Sequence, residues 1–198
     1  MSRLARILFL AAVAFSVAAP AASATPAKKL DDTLAAMWTT LLETPSDQNP
    51  FGTGGAAFAC LDLGGTVAPF AEGGVESCTV KPGTKIFVAA SSFECSTFEG
   101  AEGTDAALRA CAREIDVQDA PTVTVDGEFV RVTEVETGLL NIVLPANNLF
   151  DAEAGTEGLS VGHGWVALLH PLPPGTHTIV IDTGASTITT TIVVQPGG

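Results

Sequence analysis

From Pro121 to the C terminus, apolar residues come in short runs with period two, each bounded by turn-forming residues. Such runs are too short for stable helices and alternate like strands, so this half of the chain must bury its apolar faces as sheet. Val123 and Val125 precede Asp126-Gly127, and the run 129–135 follows. Asp-Gly at that place predicts a hairpin, because both central residues of a type I′ turn need positive φ. The run 139–144 reads as a strand ended by Pro145, and 146–162 as a long acidic, glycine-containing loop. Then come a strand at 165–169, a Pro-Leu-Pro-Pro-Gly turn, a strand at 177–181, an Asp-Thr-Gly turn and a strand at 186–194. In the last, Ile188, Ile192 and Val194 alternate with Thr187, Thr189 and Thr191, a half-buried strand with a threonine face to water. Many short strands at this spacing predict a mainly β fold, an antiparallel β-sandwich of immunoglobulin-like or jelly-roll-like kind.

The first half adds two helices. Thr25-Pro26 supplies a capping hydroxyl and a proline suited to the first helical position. Leu30, Leu34, Met37, Trp38 and Leu41 then form one apolar stripe, and Pro45 ends the helix. Core packing is the ordinary use of such a stripe. Residues 46–83 read as loop-rich, with short strands at 56–63 and 66–70, and 85–90 is a clearer strand. The polar stretch 94–103 reads as a loop and 104–115 as a short helix, with Leu108, Cys111 and Ile115 on one side. No internal repeat or long linker divides the chain. The expected organisation is a leader at 1–24, an amphipathic helix at 25–45 and a single sandwich domain at 46–198.

The leader reads as a secretory signal peptide. Arg3 and Arg6 precede an apolar run at 7–19, and Ala22-Ser23-Ala24 offers the small residues of a cleavage site. The run is too short and interrupted to be a retained anchor, which needs about 20 apolar residues. Export delivers the chain to an oxidising compartment, secreted or periplasmic, where Cys60, Cys78, Cys95 and Cys111 are expected to be disulfide-bonded. Four cysteines allow three pairings, of which neighbour pairing, Cys60–Cys78 with Cys95–Cys111, is the simplest. Spacings of 18, 17 and 16 contain no C-x-x-C, which argues against zinc and thioredoxin-type chemistry. The whole chain carries 9 bases against 22 acids, a net charge of −13. Loss of Arg3 and Arg6 with the leader deepens that deficit. Nucleic acid and anionic lipid are poor partners for such a chain, because phosphate binding needs Lys and Arg; a cationic or protein partner fits better.

Two segments carry a family resemblance. One is 78–97, C-T-V-K-P-G-T-K-I-F-V-A-A-S-S-F-E-C-S-T, and the other is 162–181, with P-L-P-P-G-T-H-T-I at its heart. In this order they resemble an uncharacterised family of secreted bacterial proteins with a Cys-x-Val-x-Pro-Gly turn, a Glu-Cys-Ser step and a Pro-Leu-x-Pro-Gly-x-His-x-Ile hairpin. The match spans about residues 50–185, with Lys81 and Thr84 as variants in the first turn. It implies the exported compartment and a β-rich fold, and no active site. The final hairpin is also similar to the last strands of bacterial immunoglobulin-like surface domains, an analogy of fold alone.

Several motifs invite a catalytic or metal reading. Asp182-Thr183-Gly184 resembles the aspartic-protease turn, whose chemistry needs a second Asp sharing a proton. The sequence holds no second D-T-G, and only 14 residues follow this one. A hairpin turn explains it. Gly158-Leu159-Ser160-Val161-Gly162 fits the nucleophile elbow, but no helix is expected after it, as that motif requires. His163, His170 and His177 are spaced by seven; in a hairpin closed by the proline-rich turn, Leu169 opposes His177 and His170 points the other way, so the three do not converge. His177 is expected to be a partly buried, hydrogen-bonding residue. Acids at Glu94, Glu99, Glu102 and Asp105, and at Asp151, Glu153 and Glu157, suit calcium in type but lack the spacing of a calcium loop. With 10 Phe, 2 Trp and no Tyr, a sugar-binding platform is weakly supported. The sequence therefore points to a non-catalytic extracellular or envelope binding or structural module with no cofactor. The alternatives are a hydrolase using a carboxylate pair, for which Asp182 is the candidate, and an acidic calcium-binding or inhibitor-type protein.

Overall fold

A computed structural model describes residues 27–52, 58–71, 76–116 and 119–197. The expected signal peptide, its expected cleavage site and the expected Thr25-Pro26 helix start lie outside the described residues. The elements in order are α1 (Ala27–Leu42), β1 (Phe58–Asp62), β2 (Thr66–Ala71), β3 (Glu76–Val80), β4 (Lys85–Ser96), a 3-10 turn (Thr97–Glu99), α2 (Asp105–Ile115), β5 (Thr122–Val125), β6 (Glu128–Val130), β7 (Thr133–Glu136), β8 (Leu140–Val143), β9 (Glu157–Leu169), β10 (Gly175–Asp182) and β11 (Thr187–Val194).

These strands form two sheets. The first runs β1-β2-β4-β9-β7, with β8 also on β9; the second runs β3-β11-β10-β5-β6. Both are mixed rather than purely antiparallel, because β2 joins β4 and β3 joins β11 in parallel. The alternation that predicts a strand does not reveal which neighbour it will take. The sheets share an apolar core: Ile86, Val88, Ala167 and Leu169 of the first meet Val123, Ile179, Ile181, Ile192 and Val194 of the second. The opposite face of the first sheet is covered by α1, whose Leu30, Leu34, Met37, Trp38 and Leu41 pack with Phe87 and Val166. The predicted stripe is thus a core stripe.

The Asp126-Gly127 hairpin forms as expected, with φ of 52° and 85° at its two central residues. The proline-rich segment does not close a hairpin. It carries the chain from β9 in the first sheet to β10 in the second, so Leu169 lies opposite Ile86 and His177 opposite Ile192. Two predicted loops are also strand: β4 continues through Glu94 to Ser96, and β9 begins at Glu157. What remains of the second loop is organised by buried Asn148. Its amide donates to the carbonyls of Pro145 and Ala152, and its oxygen accepts from the backbone of Phe150 and Ala152. On α2, Leu108 is buried and Thr104 caps the helix, but Ile115 is half exposed at the last turn and Ala112 takes the buried place.

The disulfides pair neighbours. Cys60–Cys78 joins β1 at the edge of the first sheet to β3 at the edge of the second, and Cys95–Cys111 joins β4 to α2. Cα separations of 5.7 and 5.9 Å lie in the normal range for such bridges. Among the described residues no helix is long and apolar enough to cross a membrane.

Candidate functional site

The functional-type side chains gather on one ribbon. β4 and β9 pair from Ile86↔Leu169 to Ser96↔Ser160, with a bulge between Ala89 and Ser91. Past the bulge, the ribbon's face on the second sheet's side is covered by α2, whose Leu108 and Ala112 pack with Cys95 and Val161. Its other face is approached by α1. Each face holds a polar cluster.

The α2 face carries a chain of three links. Ser91 Oγ donates to Asp116 Oδ1 at 2.7 Å, and the other Asp116 oxygen lies 2.9 Å from His163 Nδ1. His163 Nε2 lies 3.3 Å from Glu134 Oε1. Asp116 and His163 are buried, and Glu134 is exposed. Strand alternation explains the arrangement: Ser91 and His163 share a face of the ribbon, and the end of α2 delivers Asp116 beneath them. The order is Ser–Asp–His, not Ser–His–Asp. A triad needs the imidazole on the hydroxyl so that it can take the proton. Here the serine proton points at the carboxylate, and both imidazole nitrogens face carboxyl oxygens.

On the α1 face, Ser160 Oγ donates to Glu94 Oε2 and Ser96 Oγ to Glu99 Oε2. Burial raises the Glu94 pKa to about 7, opposed by the Ser160 hydroxyl and reinforced by the neighbouring Glu99. The fold brings Glu94 and Glu99 together as a carboxyl pair; the sequence grouped them only within a loop-like acid cluster of calcium-ligand type, whereas they belong to a strand and the following 3-10 turn. The elbow-like Gly158-Leu159-Ser160-Val161-Gly162 lies inside β9, and its glycines have a packing reason. A Cβ on Gly162 would stand 2.4 Å from Trp38 Cδ1, and one on Gly158 would stand 2.3 Å from Phe98. The Trp38 indole N–H donates to Ser92 Oγ at 2.9 Å, and that hydroxyl donates to the His163 carbonyl at 2.8 Å.

The other candidates lie apart. Asp182 is exposed at the β10–β11 turn, where its carboxylate accepts from the Gly184 N–H at 2.8 Å. His170 is exposed in the crossover segment. His177, in the second sheet, is buried as expected, with Nδ1 2.7 Å from Asp126 Oδ2 and Nε2 2.9 Å from the Pro173 carbonyl. Asp126 and that carbonyl hold its pKa above the usual histidine range, and the imidazole in turn lowers Asp126. Asp105 is bound to Arg109, whose guanidinium also reaches Glu136 and the Thr137 carbonyl. Among the described residues no group of three or more His, Cys, Asp or Glu side chains is placed to hold a metal ion.

A cleft of about 210 Å³ opens at the bulge, bounded by both sheets. Ser91 and Phe93 of β4 line it with Ile181, Thr183, Ile188 and Thr190 of the β10–β11 hairpin, and none of the described lining residues is charged. Ser91 therefore joins the cleft to the buried Asp116–His163 pair. Sequence reading missed this cluster because its members are 25 and 47 residues apart and meet only through the α2–β4–β9 packing. No protein-family model matches the chain, and no curated protein matches it.

Proposed function

We propose that this chain is an exported, non-catalytic binding module: a disulfide-stapled sandwich of immunoglobulin-like or jelly-roll-like kind, working outside the cytoplasm. Its resemblance to secreted bacterial proteins, its leader-like first segment and its two disulfides support the compartment. The observation that carries the non-catalytic reading is the order Ser91–Asp116–His163–Glu134, in which the imidazole sits between two carboxyl groups and not on the serine hydroxyl. The Glu94–Glu99 pair is the specific alternative, since a carboxyl group titrating near neutrality can act as a general acid. A fluorophosphonate and a panel of p-nitrophenyl esters and glycosides test both readings on the folded chain. The module reading expects no serine adduct and no turnover. An adduct on Ser91 or Ser160, or glycoside hydrolysis lost in Glu94→Gln, overturns it.

A further inference from the structure

We propose that the cleft at the β4 bulge binds a small organic cation, one ammonium or guanidinium group on an apolar or aromatic body; the inference rests on the module reading and names its ligand class. Hydrogen-bond polarity comes first. The Ser91 hydroxyl spends its proton on Asp116 at 2.7 Å, so the lone pairs left for the cleft can only accept. Thr183, on the opposite wall, turns its hydroxyl to Ser186, meeting that residue's carbonyl, N–H and hydroxyl. A ligand that supplies a donor fits Ser91, where a carboxylate or phosphate would meet no proton.

Charge points the same way. Behind Ser91 stands the buried Asp116 carboxyl group, and Glu134 lies beyond it on the far nitrogen of His163. No described lining residue offers a cation to meet an anion. The chain as a whole carries −13, which draws cations toward any opening on its surface. Apolar walls supply the rest of the recognition. Phe93 is 40% exposed, which leaves a ring face for a cation, and Ile181 and Ile188 offer an aliphatic wall for the ligand body. A volume near 210 Å³ suits one ring or one short side chain. A free amine and a Lys or Arg side chain of a partner share this chemistry.

The test is a titration of the folded full chain with benzylamine, benzyl alcohol and benzoate, followed by amide shifts at Ser91, Phe93, Thr183 and Thr190. Benzylamine is expected to give saturable shifts there, weakening as salt rises; benzyl alcohol is expected to bind at least about tenfold more weakly, and benzoate not at all. Phe93→Leu keeps the apolar bulk at an exposed site and should weaken benzylamine about threefold through loss of the ring face. Ser91→Ala should weaken it about tenfold, with an unchanged far-ultraviolet spectrum as the fold control. An acetyl-lysine-methylamide titration beside acetyl-arginine-methylamide shows which source is preferred. Equal binding of benzoate, shifts away from the cleft, or no binding by any cation overturns the inference while leaving the module reading intact. Turnover of the ester panel overturns the module reading itself.

Discussion

At the scale of single residues, the ribbon is held by groups that sequence motifs misassign. Gly162 belongs to an apparent nucleophile motif, yet its place is set by the Trp38 indole lying where a Cβ would stand. Gly162→Ala should therefore destabilise the fold by about 1–3 kcal/mol through overpacking, read by urea unfolding, and Trp38→Phe in the same chain should recover part of that loss. Ser160→Ala, a variant of the motif's serine, tests packing less and the carboxyl pair more. Glu94 titrates at about 7 in the fold, above its ordinary 4.5. The folded chain thus holds this proton more tightly than the unfolded chain, so stability falls as pH rises from 4.5 through 7 and stays lower beyond. Glu94→Gln should raise Tm relative to the native chain above pH 7 and leave it unchanged below pH 4.5. A constant difference across that range would contradict a buried, proton-holding Glu94.

At the scale of elements, what was legible tracks how local the signal is. The α1 stripe, the short α2 helix and the Asp126-Gly127 hairpin are each written in a few neighbouring residues, and each is present. The pairing of nearest cysteines was the simplest of three and is the one found. The outer half of the β4–β9 ribbon was not legible. Its residues Glu94, Ser96, Gly158, Ser160 and Gly162 read as loop, because their two faces are covered by Trp38 and by α2 rather than by an alternating apolar pattern of their own. The Ser91–Asp116–His163 cluster was hidden by sequence distance, since its members meet only when α2 packs on the ribbon. The crossover after β9 was misread as a hairpin since Pro and Gly mark a change of direction without naming the sheet that the next strand joins. The Cys95–Cys111 link holds α2 on that ribbon, closing a loop of moderate length. Replacing both cysteines by serine should cost about 3 kcal/mol and raise amide exchange first in α2 and at Asp116, ahead of β10 and β11. Uniform loss of protection would contradict a local role.

At the scale of the whole molecule, the described residues make two sheets, with α1 on the outer face of the first and two disulfide links, and Ser91, Asp116, His163 and Glu134 are engaged with one another. The links sit at different places: one ties the sheet edges together, and the other ties α2 to the ribbon. Bridges of this kind form in an oxidising compartment, and the proposed function depends on their forming there. The most direct measurement is non-reducing peptide mass mapping of the protein recovered from outside the cytoplasm of a producing bacterium. The account predicts a chain starting at Thr25 with Cys60 linked to Cys78 and Cys95 to Cys111. An intact chain recovered from inside the cell with four free thiols, or links crossing between the two pairs, would contradict it.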